Sequence, residues 1–341
     1  MNRKRNFLFS LIILIGSSVL FPACGGKKGE EKKPEASVQP ASELERLNQL
    51  IAKDSRNPDY LVQRARIYNS QKQFQNALND MNAAIGLDST RAELWMVKAD
   101  ALFGLVQVPL AMEAFKKVIS LDPKSIEPYL KLAELSLYIK EYQQTLNYAN
   151  GALKIDSKKT KAYFIKGFVY KETNDTARAI SSFQTCVEQE PQYYEAHMQL
   201  GILYAAKKNK LALQYYDNAL RLKPNSIEAL YDRGMFYQEA EDYNKAMEDY
   251  NAILRIDPKN KEACFNLGYI HLAYLKVYRQ AILHFTQAIR CDSNYLEAYY
   301  NRGISFENLG DIDHAAADYR KALAIYPKYE LARKGLERVR N

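Results

Sequence analysis

The chain has 341 residues, 47% of them hydrophobic, with 48 lysines and arginines against 40 aspartates and glutamates, 26 tyrosines, one tryptophan and four cysteines. Mixed charge and an ordinary apolar fraction exclude wholesale disorder, a collagen-like chain and a disulfide-stapled miniprotein, while the length suits one large domain or two ordinary ones. The net charge of +8 is modest and three of the positive residues fall within the first five, which is not the concentrated basic face that nucleic-acid binding requires.

At the N-terminus Arg3, Lys4 and Arg5 precede an apolar run from Phe7 to Phe21 and then Pro22-Ala23-Cys24, the pattern of a secretory leader. The fifteen residues of that run fall short of the roughly 20 that span a bilayer as a helix; a retained anchor, leaving a cytoplasmic protein on the membrane, is the alternative. A small residue directly before a cysteine resembles the bacterial lipobox, although Phe21 and Pro22 stand where that motif has Leu and a small residue. The resemblance implies a leader over 1–23, acylation of Cys24 and an outer-membrane lipoprotein facing the periplasm. Cleavage by the ordinary peptidase would instead give a soluble periplasmic protein. Loss of residues 1–23 removes three positive and no negative charges and leaves +5. Residues 24–41 are Gly-, Pro-, Lys- and Glu-rich without apolar periodicity, which reads as a solvated tether. Ser42 with Glu45 three residues on forms a capping box ahead of Leu44, Leu47, Leu50 and Ile51, predicting a capping helix over 42–56 that ends before Asn57-Pro58.

Beyond it the chain repeats. Ala or Gly stands at 65, 99, 133, 167, 201, 234, 268 and 303, at intervals of 33 to 35 residues. Ala77, Ala111, Thr145, Ala179, Ala212, Ala246, Ala281 and Ala315 form a second ladder, and Ala84, Val118, Ala152, Cys186, Ala219, Ile253, Ala288 and Ala322 a third. Small residues at positions 8, 20 and 27 of each unit let two helices approach closely, large ones at positions 4, 11 and 24 fill the space around them, and proline at position 32 (Pro123, Pro191, Pro224, Pro258, Pro327) stops the second helix. The unit holding Gly201 is one residue short and that holding Gly268 one long, so both changes are expected in the turn between paired helices. With these ladders the chain resembles the tetratricopeptide repeat (TPR) family. The resemblance implies an all-α, right-handed solenoid of eight helix pairs, 58–91, 92–125, 126–159, 160–193, 194–226, 227–260, 261–295 and 296–329, between N- and C-terminal capping helices. The C-terminal cap, 330–341, is expected to place Leu331, Leu336 and Val339 on one face.

No phosphate loop, zinc-protease helix, nucleophile elbow or CxxC pair occurs in the sequence. His197 and His271 fall at packing positions, His284 and His314 have no paired ligand nearby, and Cys186, Cys264 and Cys291 take core-type positions, with a Cys264–Cys291 bridge left open. No catalytic residue, metal or cofactor is therefore expected. In the family the first helices line a concave groove that binds a protein segment, and this is the expected site. Position 5 supplies Phe164, Met198, Tyr231, Phe265 and Tyr300. Position 9, charged in the first three units, turns apolar as Phe168, Ile202, Met235, Tyr269 and Ile304, and the two series predict an apolar strip that binds an apolar partner segment. Asp232, Asn266 and Asn301 at position 6 resemble a short stretch of the asparagine ladder of O-GlcNAc-transferase arms. No unit carries the Lys and Asn of a chaperone-tail clamp. The expected partners are thus a protein or peptide in the groove and the membrane through Cys24, not nucleic acid, with a homodimer through end units possible. The expected role is a lipid-anchored scaffold in a cell-envelope process, and the alternative a non-catalytic subunit of a transferase or protease complex.

Overall fold

The structure, a computed structural model, describes residues 40–340. The expected leader, Cys24 and nearly all of the tether lie outside the described residues. The chain divides into two units, Met1–Arg46 and Leu47–Asn341, and the repeats belong to the second. Among the described residues there are eighteen α-helices and no strand, and no helix is long and apolar enough to cross a membrane.

Helix α1 (Pro40–Lys53) is followed by eight antiparallel pairs: α2 and α3 (Pro58–Ser70, Phe74–Leu87), α4 and α5 (Ala92–Gly104, Val108–Leu121), α6 and α7 (Glu127–Tyr138, Tyr142–Ile155), and α8 and α9 (Thr160–Glu172, Thr176–Gln189). Then come α10 and α11 (Tyr194–Ala206, Leu211–Leu222), α12 and α13 (Ile227–Glu239, Tyr243–Ile256), α14 and α15 (Lys261–Tyr269, Tyr278–Cys291), α16 and α17 (Leu296–Asn308, Ile312–Ile325), and finally α18 (Glu330–Arg338). Local chemistry marks the ends. Asn57, Asp175, Ser226, Asp242, Asn260 and Asp311 cap the helices after them, their side chains accepting a backbone N–H of the first turn. After the second helix Asp88, Asp122, Asp156, Asp257 and Asp292 each accept the N–H two residues on, at 2.9–3.1 Å, which turns the chain into the next pair.

From the fourth pair on, each pair is held by a ring at position 24 against the backbone at position 8. A Cβ added to Gly167, Gly201, Gly268 or Gly303 would lie 2.5–2.8 Å from the ring of Phe183, Tyr216, Phe285 or Tyr319, so glycine here is the space the ring occupies. Three tyrosines go into this packing, Tyr216, Tyr250 and Tyr319, all fully buried. Three guanidinium clamps add to it. Arg64, Arg233 and Arg302 each make two hydrogen bonds, at 2.6–2.9 Å, to a buried carboxylate sixteen residues on (Asp80, Asp249, Asp318). Each also reaches sixteen residues back to Asn48, Asp217 or Thr286, so one side chain ties three helices.

Four expectations are corrected. The extra residue of the seventh pair does not lie in the turn: α14 runs on into a π-helical segment, Ile270–Tyr274, and the turn closes with Val277 N–H donating to His271 O across six residues at 2.8 Å, against five for Gln73 N–H to Tyr68 O. A π turn takes one more residue per hydrogen bond and so absorbs the insertion without moving Gly268 off Phe285. In the fifth pair the missing residue is lost from the start of α11, which begins after a four-residue link, Lys207 to Lys210. Helix α1 starts at Pro40, which places Ser42 inside the first turn rather than at the cap. In α18 Leu331 is 42% exposed, and the buried face is Ala332, Gly335 and Leu336, at the i, i+3, i+4 spacing of one helix face, with Val339 packed beside them.

Candidate functional site

First helices of successive pairs touch directly, α2 with α4, α6 with α8, α10 with α12 and α16 with α18, while no two second helices of successive pairs are in comparable contact among the described residues. The first helices therefore line the inner face of the stack, and the expected groove residues lie on it.

At position 5 each aromatic ring leans on the ring of its own second helix: Phe164 on Phe183 (centroids 5.5 Å apart), Tyr231 on Tyr250 (6.1 Å), Phe265 on Phe285 (5.5 Å) and Tyr300 on Tyr319 (5.9 Å). A second support, which the sequence reading missed, comes from the tyrosine just before the next first helix. Tyr193, Tyr295 and Tyr329 lie 4.8, 5.2 and 5.4 Å from Phe164, Phe265 and Tyr300. The rings are thus half-buried and fixed, presenting one side each; edge and tilted contacts of this kind add to burial. Met198 differs from its expected role. It is 2% exposed within the core between α10, α11 and α12, so the strip is interrupted at the fifth pair.

At position 9 the structure explains the change of chemistry along the chain. In the first and third pairs this position makes an ion pair with position 2 of the next first helix, Arg66 with Glu93 (2.7 Å) and Glu134 with Lys161 (2.8 Å). A cleft of about 480 Å³ lies there, lined by Arg66, Glu93, Met96 and Asp100 among others, and burial pushes the Asp100 carboxyl above its usual range. From the fourth pair on, the same place is filled by Phe168, edge-on to Phe164 at 4.9 Å, by half-buried Ile202 and Met235 packed on their pairs' cores, by Tyr269 beside Phe265 and Tyr274, and by Ile304, which packs against the cores of both the seventh and eighth pairs. Position 9 is therefore both a wedge between neighbours and a partly exposed part of the strip.

The asparagine expectation is weakened. Asn266 is buried and its Nδ2 donates to Met235 Sδ at 3.6 Å, while Asn301 Nδ2 donates to Glu297 O of its own helix at 2.7 Å, so these donors are already engaged within the chain. Asp232 lies with Glu228 beside Tyr194, whose hydroxyl is held protonated by burial first and is hydrogen-bonded to Ser226 Oγ at 2.6 Å. Glu262 and Glu297 stand in the same relation to Tyr295. At the C-terminal end Glu307 accepts two hydrogen bonds from Arg338, at 2.8 and 2.9 Å, and one from Tyr319, which fixes α18 to the last pair. Arg338 holds the Glu307 carboxyl below its usual range.

Groups with potential chemistry are spent on packing. The thiols of Cys186, Cys264 and Cys291 are free, and burial pushes Cys186 and Cys264 up to about 12, far from a reactive thiolate. His197 is buried, its Nε2 2.9 Å from Pro191 O. His271 and His284 stack with centroids 5.3 Å apart, and burial lowers both. Among the described residues no three His, Cys, Asp or Glu side chains gather where they would hold a metal ion.

Comparison with known proteins agrees with this architecture. Family models described as tetratricopeptide repeat match residues 63–126 and 169–227, 199–264, and 296–329. Tetratricopeptide repeat protein 16 of Homo sapiens is 22% identical over 304 residues, covering 80% of this chain and 35% of that protein. The UDP-N-acetylglucosamine–peptide N-acetylglucosaminyltransferase of Giardia intestinalis is 31% identical over 138 residues, 40% of this chain and 9% of that enzyme. The chain thus spans a minor part of the length of these relatives. Of solved structures, the C-terminal part of a TPR repeat-containing protein from Cytophaga hutchinsonii superposes with a TM-score of 0.57 at 22% identity, over 66% of this chain and 93% of that one. A tetratricopeptide repeat protein from Parabacteroides merdae gives 0.51 at 18% identity, over 73% and 99%. At such identities these two establish the fold.

Proposed function

The chain belongs to the tetratricopeptide-repeat family, and we propose that it is a lipid-anchored adaptor of a bacterial cell envelope that holds a partner protein on its inner face. Members of the family act in protein–protein interaction, and the observation that carries the reading here is the run of fixed, half-buried rings Phe164, Phe168, Tyr231, Phe265, Tyr269 and Tyr300 on the first-helix face. Phe164, Phe265 and Tyr300, each held by a second-helix ring and a following tyrosine, lose little freedom on binding, which lowers the entropic cost of capture. The anchor is read from Cys24 and its basic, apolar leader alone. Acyl chains at Cys24 would fix the chain to a membrane, the tether would give it reach, and the local concentration of partners would rise accordingly.

Substitution of Tyr231 and Tyr269 by Ser tests the groove: captured partner falls while the melting curve is retained, and unchanged capture refutes it. Metabolic labelling with a palmitate analogue tests the anchor, since Cys24→Ser loses both label and membrane association in a lipoprotein but keeps membrane association if an uncleaved apolar segment holds the chain. The second reading, a non-catalytic arm of a transferase, is supported by the 138-residue match to the Giardia enzyme; the occupied amides of Asn266 and Asn301 count against it.

A further inference from the structure

The four first helices of the fifth to eighth pairs, with the π segment that extends α14, carry seven carboxylates and three cations, whereas their four second helices carry five carboxylates and seven cations. The three first-helix cations are all engaged by carboxylates on the second-helix side, and Lys261 also lies 5.3 Å over the Tyr295 ring. Arg233 binds Asp217 and Asp249, Lys261 binds Asp292, and Arg302 binds Asp318, all at 2.6–2.8 Å and all on or next to second helices. Of the seven carboxylates, Glu195 and Glu307 are matched by Lys223 and Arg338, while Glu228, Glu239 and Glu262 take part in no ion pair among the described residues. The inner face of this half of the stack therefore combines aromatic rings with an excess of carboxylates, which Lys171 beside Glu228 and Asp232 and Lys261 beside Glu262 and Glu297 offset only in part.

Two internal cations already use that chemistry. Lys223 sits 3.8 Å from the centroid of the Tyr194 ring with its Nζ 3.1 Å from Glu195. Lys171, from the fourth pair, lies 5.6 Å over Phe168 and among Glu172, Asp232 and Glu228. A cation between a ring face and a carboxylate is stabilised by both, and a rim of one sign selects partners of the other.

We propose that this face binds a lysine- or arginine-containing apolar segment of a partner protein, its aromatic or aliphatic side chains on the exposed rings and its cations on Glu228, Glu239, Glu262 and their neighbours. The inference rests on the groove reading above and adds the sign and chemistry of the partner. The test uses the full chain and three fluorescent octapeptides, alternating Lys-Phe, Glu-Phe and Lys-Ser, followed by anisotropy. The Lys-Phe peptide binds, at least tenfold more tightly than either of the others, and its affinity falls as salt rises from 50 to 300 mM. A Glu228→Gln/Glu239→Gln/Glu262→Gln variant with unchanged helical circular dichroism weakens it about tenfold, and Glu113→Gln on α5 leaves it unchanged. Equal binding of Glu-Phe and Lys-Phe, with both lost in the Tyr231→Ser/Tyr269→Ser variant, overturns the cationic preference and leaves the groove standing. Binding by no peptide overturns the proposed occupant.

Discussion

Every turn inside a pair passes through the left-handed region of backbone space. Lys72, Val106, Lys140, Asn174, Lys208, Glu241 and Lys276 have φ between 52° and 62°, and only the eighth pair places a glycine there, Gly310 at 78°. Val106 is the one β-branched residue among them. An L-residue in this region costs about 1–2 kcal/mol, and branching at Cβ puts valine at the upper end. Its side chain is 80% exposed, so little burial is lost on substitution, and its N–H bond to Phe103 O at 2.9 Å survives any change of side chain. Val106→Gly recovers the strain but gives back about 0.5–1 kcal/mol through the freer unfolded chain; Val106→Asn recovers most of it without that loss. Both are expected to stabilise the second pair by about 1 kcal/mol, with Asn at least equal to Gly, and Lys140→Gly by less. Because a repeat array need not unfold in one step, the readout is hydrogen exchange of the α4 and α5 amides together with the denaturation midpoint. Slower exchange confined to the second pair and its neighbours is expected. Neutral or destabilising results for both Val106 variants would refute the argument.

Gly201→Ala puts a Cβ 2.5 Å from the Tyr216 ring, which is too buried to move; overpacking of about 1–3 kcal/mol outweighs a helix-propensity gain of about 1 kcal/mol, so the denaturation midpoint falls, whereas Gly86→Ala, with open space around it, raises it. Arg302→Met leaves Asp318, 5% exposed, without its partner and costs about 3–5 kcal/mol, most of which Arg302→Met/Asp318→Leu restores by equilibrium unfolding. His284, lowered to about 4 by burial and then by His271, is neutral in the folded chain at pH values where the unfolded chain already takes up a proton. Stability contributed by the neutral ring is present above about pH 6.5 and is lost as pH falls toward 4, about 1–2 kcal/mol after allowing for its partial exposure; His284→Leu should flatten that part of a stability–pH curve.

The sequence shows the repeats because close approach leaves no choice. Wherever a helix backbone meets a ring at position 24, position 8 must stay small, and the requirement recurs with the unit. The left-handed turns were not legible, since Lys, Glu and Val there are ordinary surface residues and only Gly310 hints at the conformation. The one-residue insertion was visible as a count between Gly268 and Ala281, but a count cannot distinguish a longer loop from a π turn. The guanidinium clamps were available and unread: position 7 is Arg in Arg64, Arg233 and Arg302, and Asp stands at position 23 in those three units alone. In the groove, the apolar character of position 5 was legible but its exposure was not. The same pattern yields a half-buried ring at Tyr231 and a sealed side chain at Met198, because exposure depends on what the neighbouring pair lays across it.

The first-helix face joins its neighbours by two chemistries, and the difference bears on what each half of the stack can do. Ion pairs such as Arg66–Glu93, both partners largely exposed, hold adjacent helices only weakly and weaken further in salt; the wedge formed by Phe168 or Ile304 does not depend on salt, and polar contacts beside it such as Lys171 to Gln199 and Arg338 to Glu307 add to it. In the fifth to eighth pairs the first helices carry more carboxylates than cations, and Asp217, Asp249, Asp292 and Asp318 engage those cations from the second-helix side. Packing does not require that separation, and mutual repulsion along one face opposes folding slightly. A cationic partner of the kind proposed above would relieve the repulsion on binding, so part of its affinity would already be present in the unbound stack as unfavourable charge.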